Sequence, residues 1–427
     1  MGQLFLLLLT AIYFIRPSEW LPGLAGMPLF QIVILTALVL CFGAWTSQIS
    51  ERSLRTSPIS ACVCLLLGIS FVSEVLNLGT VTSTTQFAKS VLLYLLVTGL
   101  IDTHERLLRF LQGFACVLFL LGLLVLLNHH GILAVGSDSS PIGGVWEDRG
   151  GQRLGAIGGL TFDPNDTAVL TMLGTILSLH FAAVARPLFL RPVWLGMACC
   201  NIYVLQLTDS RGGFLSLVVG LGAYVWLRWG KKGLLWGACL LPLVAAKIAT
   251  ARMAGLGSAF LEDTGQSRLQ FWTSALVLAK SNPLLGAGPD SFSTIVGRAS
   301  HNSLLQAFAE LGFFGGTLFL GAFGYGAWQL YSIRRSLATQ PGTSEPSNQA
   351  QVAMMLALLG GYAVAILALN HLYTMPTYIV LAVTTVCIRN FAGEETTPFS
   401  SLFVKFCGLS VLFLIASKLA VVLLVRW

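Results

Sequence analysis

The sequence is short of charge. Asp, Glu, Lys and Arg make up 10% of its 427 residues while 55% are hydrophobic, and a water-soluble domain normally carries about 25% charged residues. With a mean hydropathy of +0.79, this composition excludes an ordinary soluble enzyme and implies a polytopic membrane protein. Apolar runs that can cross a hydrocarbon core of roughly 30 Å recur along nearly the whole chain, among them "PLFQIVILTALVLCFGAW" at 28–45 and "FLSLVVGLGAYVWL" at 214–227. Other absences narrow the field. The opening "MGQLFLLLLTAIYFI" has neither the basic stretch nor the A-x-A site of a cleaved signal, so it is expected to stay as the first helix. Leu6 stands where a myristoylation signal wants Ser or Thr. No P-loop, dinucleotide fingerprint or solenoid repeat is found. The nine cysteines lie inside apolar runs, as Cys62, Cys64, Cys199 and Cys200 do, where cysteine behaves as a small hydrophobe. Neither a disulfide framework nor a zinc site is expected. The net charge of +7 is read as topological, not as a nucleic-acid footprint, because Lys and Arg accumulate in short cytoplasmic loops of membrane proteins.

The expected fold is all-α: one multispan domain over residues 1–427 with about twelve or thirteen transmembrane helices. They are placed near 2–15, 28–46, 58–76, 86–101, 107–128, 167–185, 192–208, 213–228, 233–249, 303–329, 351–369, 375–389 and 401–425. Basic residues then sort into alternate short loops: Arg52 and Arg55, Arg106 and Arg109, Arg186 and Arg191, Arg228 with Lys231 and Lys232, Arg334 and Arg335, and Arg389. These loops are assigned to the cytoplasm. The two long connections, 129–166 and 250–302, fall on the opposite face together with the turn "TDSRGG" at 208–213, whereas "ATQPGTSEPSNQA" at 338–350 is a polar cytoplasmic linker. Arginines that topology does not require lie on that opposite face: Arg149, Arg153, Arg211, Arg252, Arg268 and Arg298. Within the 250–302 loop, "SRLQFWTSALVLAK" at 267–280 has a helical pattern too short to span and suits an interfacial or re-entrant segment. Pro283 should stop it, and Gly286 and Gly288 should permit tight turns.

Polar residues crowd the start of one membrane helix, "GRASHNSLLQAFAELGFFGG" at 297–316. Asn302 or Ser303 can cap that helix, and steps of four place Asn302, Gln306 and Glu310 on one face. Such a stripe can serve interhelical hydrogen bonding alone. His301 stands beside the free backbone N–H groups of the helix mouth, which favour anions; for a lone histidine there, interface packing is as good a reading as function. Arg211 opens another helix, and Gly212 and Gly213 after it let a backbone or a ligand come close. A snorkelling arginine is the plainer reading there, but Arg211 lies on the side where arginine is disfavoured, so a functional reading is preferred. Lipid-headgroup contact competes more strongly for Arg268. Asp163, Asp166, Asp209 and Asp290 are scattered and read as caps or turn residues. No metal site is expected from them, and no cofactor.

In combination and order, these segments resemble the O-antigen ligase and polymerase family, integral membrane glycosyltransferases that handle polyprenyl-diphosphate-linked glycans. The resemblance is carried by "TDSRGGFLSL", "SRLQFWTSALVLAKSNPLLGAGPDSF" and "HNSLLQAFAELGFFGG", with support from "GGLTFDPNDTAVLTML" at 158–173 and a looser match at "IRPSEWLPGL". It implies an inner-membrane enzyme with a periplasmic active face. Arg211 and Arg268 match arginines thought to grip the lipid diphosphate, and His301 matches the histidine held to activate the acceptor. Arg298 and Asn302 are further expected substrate contacts.

The implied partners are a polyprenyl-diphosphate glycan donor, an acceptor and the bilayer. Family members transfer to lipid A-core, to a growing chain of the same glycan or to protein; lipid A-core ligation is favoured by the analogy. A diphosphate is a good leaving group, so the task is to neutralise its charge and align the acceptor hydroxyl, which guanidinium forks and one base can do. A metal-independent, inverting transfer is the expected mechanism. The rival class is a transporter of an anionic solute, against which stand the lack of paired interrupted helices in two halves and the location of the polar groups in an external loop.

Overall fold

The computed structural model describes residues 2–24, 26–132, 145–148, 151–155, 163–233, 258–339, 346–392 and 398–425. The expected helix at 233–249 lies almost wholly outside them, as do Arg149 and Arg252. In chain order the α-helices are α1 (Gly2–Ile15), α2 (Pro17–Trp20), α3 (Leu29–Leu40), α4 (Phe42–Gln48), α5 (Glu51–Thr56), α6 (Pro58–Leu78), α7 (Thr82–Leu100), α8 (His104–His129), α9 (Pro164–Val184), α10 (Arg191–Leu207), α11 (Arg211–Trp229), α12 (Ser258–Ser281), α13 (Ser291–Val296), α14 (Ser303–Thr339), α15 (Pro346–Ile366), α16 (Met375–Ala392) and α17 (Phe399–Leu424). The chain is an all-α, multi-pass membrane protein. A single antiparallel hairpin, β1 (Val145–Asp148) with β2 (Gly151–Leu154), interrupts the helices among the described residues.

Nine helices are long and apolar enough to cross a membrane among the described residues, and α3 with α4, bent by 78°, makes up to ten. The expected spans at 2–15 and 86–101 are helices of the same bundle but fall short as independent spans: α1 has 14 residues, and α7 opens with the polar run "TSTTQ". The centre is formed by α9, α14, α15 and α16, which share one apolar cluster. The most enclosed span is α9, with 83% of its apolar window buried, whereas α17 has 11% and lies on the outside.

Helix starts follow local chemistry. Asp163 Oδ1 accepts from the N–H groups of Asn165 (2.7 Å) and Asp166 (2.9 Å) ahead of α9, with Pro164 at the first position. Ser210 Oγ accepts from Gly213 N (3.2 Å) to start α11. Asn302 Oδ1 accepts from Leu304 N and Leu305 N, both at 3.1 Å, to start α14. Each satisfies N–H groups that a helix start leaves without partners.

Two ends of the bundle differ in chemistry. At one, Gln3 donates to Arg106 O (2.8 Å), Arg389 to Thr98 O (2.9 Å) and Ile101 O, and Arg334 to Leu227 O (2.6 Å). There arginine side chains satisfy carbonyls at helix C-termini, where positive charge is favourable. The opposite end carries the starts of α9, α11 and α14.

Candidate active site

The site is assembled where those three helix starts meet α12 and the hairpin. Because Ser210 caps α11, Arg211 is its first residue, and its side chain is exposed. The two glycines behind it serve packing: a Cβ on Gly213 would lie 2.4 Å from Ala168 Cβ of α9, and one on Gly212 would lie 3.3 Å from Ala368 Cβ. The close approach foreseen there is thus made by neighbouring protein. Arg153, on β2, donates through Nε to Thr208 O (2.9 Å) and through Nη2 to Asn165 Oδ1 (3.0 Å). Ser210 Oγ donates to the same Asn165 oxygen at 2.8 Å, so one carboxamide ties the hairpin, α9 and the cap of α11 together.

Arg268 is half-buried on α12, a helix that begins at Ser258, nine residues before the expected stretch. Burial first, then the charges of Arg153 and Arg211, hold its guanidinium below the usual arginine value, with Asp163 acting the other way. His301 takes a left-handed backbone conformation (φ 50°), and its ring centroid lies 6.4 Å from that of Phe271, one turn along α12 from Arg268. Burial, then the charge of Arg268, push its imidazole below the ordinary value; Asp163 opposes them and Arg298 adds to them. Arg153, Arg211, Arg268 and Arg298 therefore act on one neighbourhood that contains His301 and, among the described residues, the countercharge of Asp163, whose carboxylate already caps α9. Such an arrangement favours an anion and keeps the imidazole neutral, able to accept a proton.

Of the residues expected in the site, Arg211, Arg268, Arg298 and His301 are brought together. Asn302 adjoins them, but it is 2% exposed and its carboxamide oxygen is engaged in the cap of α14. Among the described residues no group of three or more His, Cys, Asp or Glu is placed to hold a metal ion.

Deeper in α14, Glu310 is fully buried. It accepts from Asp290 N (3.0 Å), Phe292 N (3.1 Å), Tyr373 Oη (2.8 Å) and Gln306 Nε2 (3.2 Å). Four donors account for a carboxylate inside a membrane helix, on the polar face that the i, i+4 spacing of the sequence marks. Two residues further on, α14 breaks at Gly312 (φ 68°, ψ −166°). The backbone of 283–288 fills the break: Phe313 N donates to Pro283 O (2.7 Å), Ala287 N to Ala309 O (3.0 Å) and Gly288 N to Glu310 O (3.0 Å). Gly286 (φ 72°) must be glycine here, since a Cβ would lie 2.2 Å from the Glu310 carbonyl carbon.

Sequence reasoning missed His371. It lies in "ALNHLYTM" between α15 and α16, where its Nε2 meets Asp166 Oδ1 (2.7 Å) and its Nδ1 meets Tyr362 Oη (2.9 Å). Its backbone N–H donates to Ser303 Oγ (2.7 Å), which donates to Leu369 O (2.6 Å). A histidine in a short turn at the same end of the bundle as His301 was the available signal. Asp166, read as a cap or turn residue, is instead the partner of His371, and Asp163 is the cap.

No curated protein matches the chain. A solved chain from a structure described as "Structural coordination of polymerization and crosslinking by a peptidoglycan synthase complex" is similar over 80% of this chain and 98% of that one, at 16% identity and a TM-score of 0.46. The family model described as "O-Antigen ligase" matches residues 196–320, a stretch that contains Arg211, Arg268, Arg298 and His301. The match covers less than a third of the chain, and over that part the sequence is similar to the O-antigen ligase family.

Proposed function

We propose that the protein transfers a glycan from a polyprenyl-diphosphate carrier to a hydroxyl acceptor, at the periplasmic end of a bundle in the inner membrane. The observation that carries this reading is a chain of cations around one histidine: Arg268 and Arg298 act on His301, and Arg153 and Arg211 act on Arg268. The gathering of basic loops at the opposite end supports the orientation. In the reaction the acceptor oxygen bonds to the anomeric carbon while the bond from that carbon to the diphosphate oxygen breaks. The hydroxyl proton passes to the neutral His301 imidazole, and the polyprenyl diphosphate leaves with the electron pair, its charge balanced by Arg211 and Arg268. Guanidinium forks suit two adjacent phosphates, and four of them can do the neutralising that a metal ion does elsewhere. Asp163, the carboxylate that acts on His301 among the described residues, is committed to the cap of α9, which supports a single displacement with inversion.

Lipid A-core is the acceptor favoured by the family resemblance; a growing glycan or a protein hydroxyl are the alternatives. A transporter of anions is disfavoured because the one break in α14 is packed with backbone. The deciding experiment uses purified protein in detergent with a polyprenyl-diphosphate glycan and each acceptor class. Release of lipid diphosphate coupled to a glycosylated acceptor, undiminished by EDTA, supports the proposal. No release with any acceptor, or a strict need for Mg²⁺, contradicts it.

A further inference from the structure

A cavity of about 220 Å³ opens beside α14, lined by Asp290, Phe292, Gln306, Glu310, Asn370 and Tyr373 among others. None of Arg211, Arg268, Arg298 or His301 lines it. Its walls are polar and acidic, and their hydrogen bonding is incomplete in one direction. Three donors are used up on Glu310 Oε2, from Asp290 N, Gln306 Nε2 and Tyr373 Oη, and a fourth, Phe292 N, on Oε1. Gln306 is 6% exposed, and its Oε1 has no hydrogen-bond partner among the described residues. The donation of Gln306 Nε2 to Glu310 fixes which end of the amide is left over. Asp290, exposed at the rim, makes no side-chain bond to the helix it precedes. A buried acceptor without a donor is costly, so the cavity is complementary to a group that brings hydrogen-bond donors. The volume lies below the roughly 300–1,000 Å³ of drug-sized pockets and suits one small ring. Because no arginine of the anion site reaches the cavity, that ring is not the one bonded to the diphosphate. Ala299, which lines the cavity, precedes His301 by two residues, so an occupant stands on the segment that carries the base.

We infer that this cavity is an acceptor subsite that receives one hydroxyl-bearing sugar ring, with Gln306 Oε1 and the Asp290 carboxylate accepting hydrogen bonds from its hydroxyls. The inference rests on the glycan-transfer reading and adds to it a place for the acceptor. Filling the cavity and removing its free acceptor test it separately. Ala299→Leu adds bulk to the wall; Gln306→Met keeps the length of the side chain without its oxygen; Asp290→Asn alters the rim at an exposed position with a left-handed backbone that Asn tolerates.

Saturation-transfer NMR on the full chain in nanodiscs, with D-glucose, D-galactose and N-acetyl-D-glucosamine at millimolar concentration as probes, reads occupancy directly. At least one sugar is expected to bind the unaltered protein, about tenfold more weakly to Gln306→Met and Ala299→Leu, and undiminished to Arg211→Ala. Thermal unfolding confirms that the variants are folded, and Asp290→Asn provides the same comparison should either core variant unfold. Absence of binding for all three sugars, or equal binding by every variant, overturns the subsite. Lipid-diphosphate release by the unaltered protein, measured in parallel, reports on the transfer reading alone. Release without sugar binding removes the subsite and leaves the transferase; sugar binding without release leaves the subsite and removes the transferase.

Discussion

His371 Nε2 lies 2.7 Å from Asp166 Oδ1, joining the turn after α15 to the first turn of α9. The same histidine holds Ser303 through its backbone N–H at 2.7 Å, so a single side-chain pair fastens the mouth of α14, and with it His301, to the centre of the bundle.

Asp166→Ala removes the partner of a buried imidazole, and loss of a hydrogen bond to a charged group costs about 1.5–3 kcal/mol. A lower melting temperature in detergent and reduced turnover are expected. Asp166→Asn keeps the size and a hydrogen-bonding group and should lose distinctly less. Equal losses in the two variants would show that the pair does not hold the turn.

Arg211→Lys and Arg268→Lys keep the charge and discard the planar fork. If each grips a diphosphate in two places, transfer should fall by about 10² to 10³, the range seen when one preorganised donor to developing negative charge is removed, with membrane insertion unchanged. Near-normal transfer in both variants would reduce them to snorkelling residues.

Burial and the Arg268 charge hold the His301 imidazole below its ordinary value of 6.5. The base is then neutral at pH 7, and the acid limb of the rate should lie below that value. The depressed folded value also means that His301 contributes stability above its ordinary value, and that this contribution is lost as pH falls through the folded one. Arg268→Met removes one of the lowering causes, so an NMR titration of His301 in that variant should shift upward. A shift downward, or none, contradicts the electrostatic link between the two residues.

Gly312→Ala places a Cβ 2.2 Å from Leu284 O at a φ of 68°. The left-handed conformation alone costs on the order of 1–3 kcal/mol, and the contact with backbone adds to it. Low yield of folded protein and a lower unfolding midpoint are expected, whereas Gly360→Ala in α15, where a Cβ meets nothing within 4 Å, should be tolerated. Equal behaviour of the two would refute the docked break.

What the sequence made legible was what local chemistry decides. Apolar runs marked the spans, Asn302 marked a cap, and the i, i+4 spacing of Gln306 and Glu310 marked a polar face that the 3.2 Å bond between them confirms. Gly286 and Gly288 were read as turn glycines and have φ of 72° and 105°. What escaped depends on contacts distant in sequence. Asp166 and His371 are 205 residues apart, and nothing local to either distinguishes a partner from a cap. The break at Gly312 exists because 283–288 docks into it, and the helical pattern of 303–329 by itself runs straight through. The hairpin that carries Arg153 is a four-residue pair of strands in a long loop, too short for an alternation to stand out. The start of α12 at Ser258 lies outside the apolar pattern that marked 267–280.

The division of labour between base and anion grip is the central claim, and separate measurement of donor affinity and of turnover at saturating donor tests it most directly. His301→Ala is predicted to bind the polyprenyl-diphosphate donor as the unaltered protein does and to lose about 10² to 10⁴ in turnover, while Arg211→Ala weakens donor binding itself. If His301→Ala instead loses donor affinity and its turnover at saturation is retained, His301 is a ligand contact and not the base.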